Sequence, residues 1–520
     1  MGIRSFSKIK KKIQKKMLRV VVLVCVLILC LTPSSHSKKI SQKKLRRSED
    51  ELVVSRQEGP LSICGAGREF RNGRCRVCED GEFSPGWSSH AKWRESLNGF
   101  CRPCEMPEIF VPNEKRTKCV PSPNIQSKPP VLFLPGFLAS RLRARRTHEE
   151  NSLEDECPDL EQGEWIQVWP PHWSTLSDIC FARLLTIRTN EEGQAMDPLG
   201  WELDVDPEDP LIDRGFVYGD LEELFHRLEW KIDFVSFDWR FAPGTHGGWH
   251  EKLVNRLKTK IETEYADTKV CLAGHSYGGV AAYEFLTEMT DEWKDEHISH
   301  YVPIGAPFGG AIGTVIATAA GYALDVPIPK FIRRKILWPV QSAAPSGAYL
   351  MPVPGQWPAN LPVAKTVSTE YFASDSSYLK MYDDLGLGDT KRLFQNMRVA
   401  AKVWSDEFPK PLRKGSIHVI WSTYGDEETT PEAAVFGKDF DMHGTDPGNP
   451  VETKTCLGDG TVPKYSLERF RHWIVDAEMS DSNVESTHFD NVEHKEIVSN
   501  DDFLTKFVMV LSGLEKENAG

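Results

Sequence analysis

The chain of 520 residues has no acidic residue in its first 47 positions, no Asn-x-Ser/Thr sequon, no cofactor motif and no apolar run of bilayer-spanning length. Each absence excludes something. Without a sequon, nothing points to N-glycosylation. The longest apolar run covers residues 20–31, twelve positions, whereas a spanning helix needs roughly twenty. Fourteen Lys and Arg lie in positions 1–47, so residues 48–520 carry 49 basic against 75 acidic side chains, a net −26. A body that acidic is a poor partner for nucleic acid, whose binders need basic surface to displace counterions. With 40% hydrophobic and 27% charged residues, composition also excludes a disordered or fibrous chain.

What the N-terminus does contain is eight basic residues between Arg4 and Arg19, then the apolar run, then Thr32, Pro33, Ser34, Ser35, His36 and Ser37. That order predicts a signal peptide over 1–37, with Ser35 and Ser37 suiting the −3 and −1 positions of cleavage and a retained type II anchor as the alternative. Gly2 makes no myristoylation site, because position 6 is Phe. Residues 38–60 read as a basic linker or pro-segment. Ten cysteines remain outside the apolar run, and six of them fall at Cys64, Cys75, Cys78, Cys101, Cys104 and Cys119. Residues 61–121 are too poor in aliphatic side chains to build much core, so three disulfides would supply what the core lacks. The two C-x-x-C pairs also have zinc spacing, but an exported chain favours disulfides. This spacing is similar to small extracellular modules of the growth-factor-receptor kind, which implies a protein or glycan partner for it.

From about Pro129 the texture changes. Val131-Leu132-Phe133-Leu134, Phe234-Val235-Ser236-Phe237, Val270-Cys271-Leu272-Ala273, Tyr301-Val302-Pro303-Ile304 and Ile417-His418-Val419-Ile420-Trp421 read as buried strands separated by helix-length stretches. Crossovers of that length predict an α/β fold of the doubly wound class with a mostly parallel sheet. Gly274-His275-Ser276-Tyr277-Gly278 follows the third strand directly, and Ala282, Phe285, Leu286 and Met289 behind it share one helical face. Strand, tight turn and helix make a nucleophile elbow, with the glycines admitting close backbone and Ser276 held exposed. A serine hydroxyl needs a positioned base and an orienting carboxylate. Asp459, in Gly458-Asp459-Gly460-Thr461-Val462-Pro463, is the favoured acid, with Asp426 its rival. His494 is the favoured base over His488 and His472. The order Ser276, Asp459, His494 is that of an α/β-hydrolase triad.

Six motifs together carry a family likeness: Phe133-Leu134-Pro135-Gly136-Phe137, Phe237-Asp238-Trp239-Arg240, Gly274 to Gly278, Gly305-Ala306-Pro307-Phe308-Gly309-Gly310, Gly458 to Pro463, and His494 to Val498. Over roughly residues 128–510 the chain resembles the lecithin:cholesterol acyltransferase and phospholipid:diacylglycerol acyltransferase family. The resemblance implies an α/β-hydrolase domain over 128–515 with cap and lid insertions, and an acyl-enzyme formed on Ser276 from a phospholipid. It assigns Asp459 as acid and His494 as base, and an oxyanion hole to the backbone N–H groups of Phe137 and Tyr277. Where cholesterol-esterifying members have a Gly-Asn step, this chain reads Leu138-Ala139-Ser140-Arg141-Leu142, which leaves the acceptor open. Cys157 and Cys180 enclose Trp165, Trp169 and Trp173, and a disulfide around such a loop looks like the family's lid, with Trp169 the best match to a lipid-contacting ring. The three rings would share a face if helical, although Pro170 and Pro171 argue against an uninterrupted helix. Packing within the cap is the alternative role. Asp238 and Arg240 read as a structural ion pair, and Cys271 and Cys456 as free thiols.

Three functions compete. The first is a secreted or lumenal O-acyltransferase moving acyl chains from phospholipid to a sterol, diacylglycerol or other alcohol at a membrane or lipoprotein surface engaged through the lid. The second is a phospholipase A with water as acceptor. The third, a degenerate hydrolase serving as a binding module, is disfavoured by the intact triad candidates. The chemistry requires no metal or cofactor.

Overall fold

The computed structural model describes residues 68–71, 74–77, 82–83, 102–114, 118–125, 127–147, 153, 157, 162–170, 178–207, 211, 217–245, 248–321, 333–401, 412, 417, 419–442, 447–471 and 484–514. The expected signal peptide and linker, Cys64, Cys78, Cys101, Trp173 and His472 lie outside the described residues. Contacts divide the described chain into two units, residues 129–220 with 232–500, and residues 68–128 with 221–231 and 501 onward.

The larger unit is built on six strands: β1 (Val131–Leu134), β2 (Ile232–Phe234), β3 (Val270–His275), β4 (Ile298–Ile304), β5 (Val419–Asp426) and β6 (Val484–Asp490). Their order in the sheet is β2-β1-β3-β4-β5-β6, and every neighbouring pair is parallel. Parallel strands need helical crossovers on the sheet faces, so the central ones must be apolar on both sides. β1 and β3 are buried at every residue, and β4 at all but Ser299. This is the mostly parallel α/β sheet that the apolar runs predict, arranged as the α/β-hydrolase fold that the resemblance implies.

All five expected strands overlap strands of this one sheet; the first keeps its expected bounds, the third and fourth are longer than expected, and the second and fifth are displaced. The second strand is Ile232–Phe234 rather than 234–237. Val235 still donates to the Phe133 carbonyl (2.8 Å), but the Phe237 N–H turns to Ser140 Oγ (3.2 Å), so the backbone has left the ladder. The fifth strand starts at Val419 and runs on to Asp426. β6, with the sequence VESTHFD, had no apolar signal because it is an edge strand with a single neighbour.

Insertions add three smaller sheets among the described residues, one of them the two-stranded ribbon of Arg188–Thr189 with Ala195–Met196. Leu142–Arg146, Ile166–Trp169 and Trp201–Val205 form a three-stranded antiparallel sheet, accompanied by the disulfide Cys157–Cys180. Trp165 and Trp169 therefore belong to a strand region and not to one helical face. Glu370–Tyr371, Ala364–Lys365, Glu428–Val435 and Glu452–Gly458 make a four-stranded sheet. Among the described residues no helix is long and apolar enough to cross a membrane.

The smaller unit has antiparallel ribbons, including Phe110–Pro112 with Cys119–Pro121, and the disulfide Cys104–Cys119. Arg227 stacks over Phe110 at 4.4 Å, and Phe225 meets Phe507 of the helix Asp501–Ser512 at 5.8 Å.

Candidate active site

β3 delivers its C-terminal end straight into the helix Tyr277–Glu288, and Ser276 at the junction has φ +55° and ψ −125°. A side-chain-bearing residue in that region costs on the order of 1–3 kcal/mol and persists only where its surroundings dictate it. Here they do. The Ser276 N–H donates to Ile304 at the end of β4 (2.7 Å), and its carbonyl accepts from Gly279 (3.0 Å). A Cβ on Gly274 would come within 2.4 Å of the Gly278 backbone, and one on Gly278 within 2.2 Å of the Leu134 carbonyl. Only glycine allows β1, β3 and the helix to approach this closely, which is the reason for the G-x-S-x-G spacing. The helix itself is buried from Tyr277 to Leu286 all round, more than its one apolar stripe implies.

Asp459 follows the strand Glu452–Gly458 and is fully buried. Its Oδ1 accepts from the N–H groups of Thr461 (3.0 Å) and Val462 (2.7 Å), and its Oδ2 meets His494 Nδ1 at 2.6 Å. The His494 N–H also donates to the Asp459 carbonyl (2.7 Å). A carboxylate so held accepts the Nδ1 proton and leaves Nε2 free to act as a base. Gly305, with φ +58°, abuts this pair: a Cβ there would stand 3.3 Å from His494 Cε1. Gly136 does the same on the other side, 3.3 Å from the Ser276 Cβ.

The rivals have other partners. Asp426 is equally buried, but it pairs with Lys464 Nζ and accepts from the Glu427 N–H (2.8 Å). His488 is half-exposed beside Asp490 at 3.6 Å. Phe137 lies with its ring edge-on to Trp239 (5.2 Å), and the Tyr277 hydroxyl donates to the Phe241 carbonyl (2.7 Å). Trp169 stacks on Phe181 (6.2 Å), meets Trp239 edge-on (5.7 Å) and donates from Nε1 to the Leu138 carbonyl (2.7 Å). Leu138 itself has φ +67°.

Asp238 and Arg240 form the expected ion pair, with contacts of 2.6 and 2.9 Å. Burial alone would raise the Asp238 carboxyl, but the charge and hydrogen bonds of Arg240, with Lys252 at 3.5 Å, hold it below the usual range. Asp197 completes the cluster at 2.6 Å from Arg240 and 2.8 Å from Lys252. Cys271 and Cys456 are free thiols, the latter pushed up to about 12 by burial and by Glu432.

Sequence reasoning passed over three buried groups. Tyr218 joins the Gly136 N–H (2.9 Å) to His275 Nδ1 (3.2 Å), and His275 Nε2 reaches the His494 carbonyl (2.8 Å). Burial and the neighbouring His494 lower the His275 ring to about 3, so it is neutral. Glu284, on the elbow helix, accepts from the Tyr349 hydroxyl, and burial raises its carboxyl to about 7. Only the His275 position, next to the serine, carried a signal.

The family model described as lecithin:cholesterol acyltransferase matches residues 227–406. Over 367 residues, 68% of this chain and 83% of that protein, the chain is 23% identical to phosphatidylcholine-sterol acyltransferase of Gallus gallus. It is 27% identical to the lysosomal phospholipase A and acyltransferase of Bos taurus over 243 residues, 46% of this chain and about half (53%) of that one. Among solved structures, a chain of the Tle4–Tli4 complex aligns with 74% of this chain and 98% of its own length, at 12% identity and a TM-score of 0.41. The chain is thus similar to lecithin:cholesterol acyltransferases over the matched residues, in line with the resemblance carried by its six motifs.

Proposed function

We propose that this chain is a serine-dependent O-acyltransferase that takes a fatty acyl group from a phospholipid and passes it to a sterol, diacylglycerol or other alcohol. The observation that carries the reading is the 2.6 Å contact between Asp459 and His494, whose ring lies 5.0 Å from that of His275, the residue before the positive-φ elbow residue Ser276. In the proposed sequence His494 Nε2 takes the Ser276 proton as Oγ attacks the ester carbonyl. The backbone N–H groups of Phe137 and Tyr277 stabilise the oxyanion, aided by the N-terminus of the helix Tyr277–Glu288. Collapse expels the lysophospholipid oxygen, which recovers the proton from His494, and leaves the acyl group on Ser276. The acceptor alcohol then gives its proton to His494, attacks the acyl carbonyl and departs as the new ester.

Water in place of the alcohol makes the same residues a phospholipase A. The relatives include both a phosphatidylcholine-sterol acyltransferase and a lysosomal phospholipase A and acyltransferase, which supports keeping that second reading. The proposal includes a secreted or lumenal location with the 1–37 segment as export signal. It also includes contact with a membrane or lipoprotein surface through the lid 157–180 and Trp169, and a protein or glycan partner for the module 61–121. Incubating the whole chain with acyl-labelled phosphatidylcholine, with and without sterol or diacylglycerol, tests the choice. Labelled ester is expected when acceptor is present; free fatty acid alone would replace transfer by hydrolysis. Labelling of Ser276 by a fluorophosphonate, lost in Ser276→Ala, is expected in either case.

A further inference from the structure

We infer that Tyr218 and His275 are positioning residues that hold the turn at Gly136 and Phe137, the Ser276 elbow and His494 in one register for acyl transfer, an inference that rests on the catalytic reading above. The three hydrogen bonds that link these elements have only one possible direction each. The His494 carbonyl can only accept, so His275 Nε2 must carry its proton. A neutral imidazole with that proton has a lone pair at Nδ1, which can only accept, so the Tyr218 O–H donates to it. The Tyr218 oxygen then accepts the Gly136 N–H. No alternative pattern satisfies the groups, and Tyr218 and His275 are buried at 1% and 3% exposure, so water does not compete.

The chain of bonds crosses the sheet rather than following it. Its partners lie 82, 57 and 219 positions apart, in the turn after β1, the end of β3 and the loop beyond β6. Each anchored residue is a neighbour of a reacting group: Gly136 precedes Phe137, His275 precedes Ser276, and His494 is itself the base. The Tyr218 ring is clamped by Phe133 (5.4 Å) and Phe234 (5.7 Å) of β1 and β2, so the hydroxyl has little freedom to move. The arrangement therefore fixes oxyanion donor, nucleophile and base against one another before substrate arrives.

Tyr218→Phe keeps the ring and its packing while leaving the Gly136 N–H and His275 Nδ1 unpartnered. For p-nitrophenyl butyrate hydrolysis, and for the second-order rate of fluorophosphonate labelling of Ser276, a fall of about ten- to a hundredfold is expected, with KM within about twofold of wild type. A hydroxyl that served packing alone would lower the melting temperature and leave both rates per folded molecule unchanged, and that result would overturn the inference. His275→Gln retains a donor for the His494 carbonyl, whereas His275→Leu retains none. The expected order is wild type, Gln, then Leu; equal labelling of Gln and Leu variants would overturn the inference even if Tyr218→Phe did not fold. Failure of the wild-type chain to label, or equal labelling of Ser276→Ala, is a different outcome and would overturn the catalytic reading along with it.

Discussion

Two buried carboxylates in the larger unit, Asp238 and Asp459, face different kinds of partner. Asp238 meets the guanidinium of Arg240, and with Asp197 and Lys252 it forms a cluster of two charges of each sign. Asp459 meets an imidazole and two backbone N–H groups. A guanidinium keeps its proton at any working pH, so the first cluster is static and ties the Phe237-Asp238-Trp239-Arg240 segment to Asp197 and Lys252. An imidazole can take up a proton at one ring nitrogen and give it back, so the second pair can serve as base and then as acid. The contrast teaches that burial and pairing do not by themselves mark a catalytic carboxylate; the ability of the partner to change charge does.

The sharpest way to break this contrast is to remove each acid in turn. Asp459→Ala should reduce ester turnover at least about a thousandfold without loss of cooperative melting, following triad effects on the order of 10⁴. Asp426→Ala, which removes a buried carboxylate that Lys464 meets, should cost far less rate; the reverse ranking in a kcat assay would move the orienting role to Asp426.

Arg240→Leu is the complementary experiment. It leaves Asp238 buried and short of its main partner, so stability measured by denaturant midpoint should fall by about 3–5 kcal/mol, with kcat per folded molecule retained. Undiminished stability would show that the static cluster is not structural.

Glu284 tests a third arrangement, a buried acid that among the described residues accepts from the Tyr349 hydroxyl and not from a cation. Its folded carboxyl is raised from 4.5 to about 7, chiefly by burial. The unfolded chain therefore releases this proton first as pH rises. The stabilisation is fully present below about pH 4.5 and is lost through about pH 7, amounting to about 3 kcal/mol. Thermal unfolding across that window should show the slope, and Glu284→Gln should flatten it; an unchanged slope would place the titration elsewhere.

The smallest effect concerns the lid. Trp169→Phe keeps a ring against Phe181 and Trp239 but loses the hydrogen bond to Leu138. Sedimentation with phosphatidylcholine vesicles should show binding weakened a few-fold, on the order of 1 kcal/mol. Binding equal to wild type would assign Trp169 to packing of the strained Leu138 turn alone.

The strand, elbow and helix around Ser276 were legible because they depend on local chemistry: an apolar run, glycines where the backbone crowds, and an apolar helical face. β6 was not legible, since an edge strand needs no run of apolar residues. The tryptophan-bearing segment at 165–169 was ambiguous for a related reason. Aromatic spacing of four suits a helix, but pairing with Leu142–Arg146 made it a strand.

Residue order along the chain was enough to set the α/β class, the elbow and a short slate of acids and bases, because each of those is written within a few neighbouring residues. Which acid meets His494 was decided by the tertiary structure, which brings Asp459 to it across 35 positions and turns Asp426 toward Lys464. The same holds for Tyr218 and His275, whose partners come from separate loops. Hydrogen bonds of that kind follow from the order of strands in the sheet, and no local pattern encodes that order.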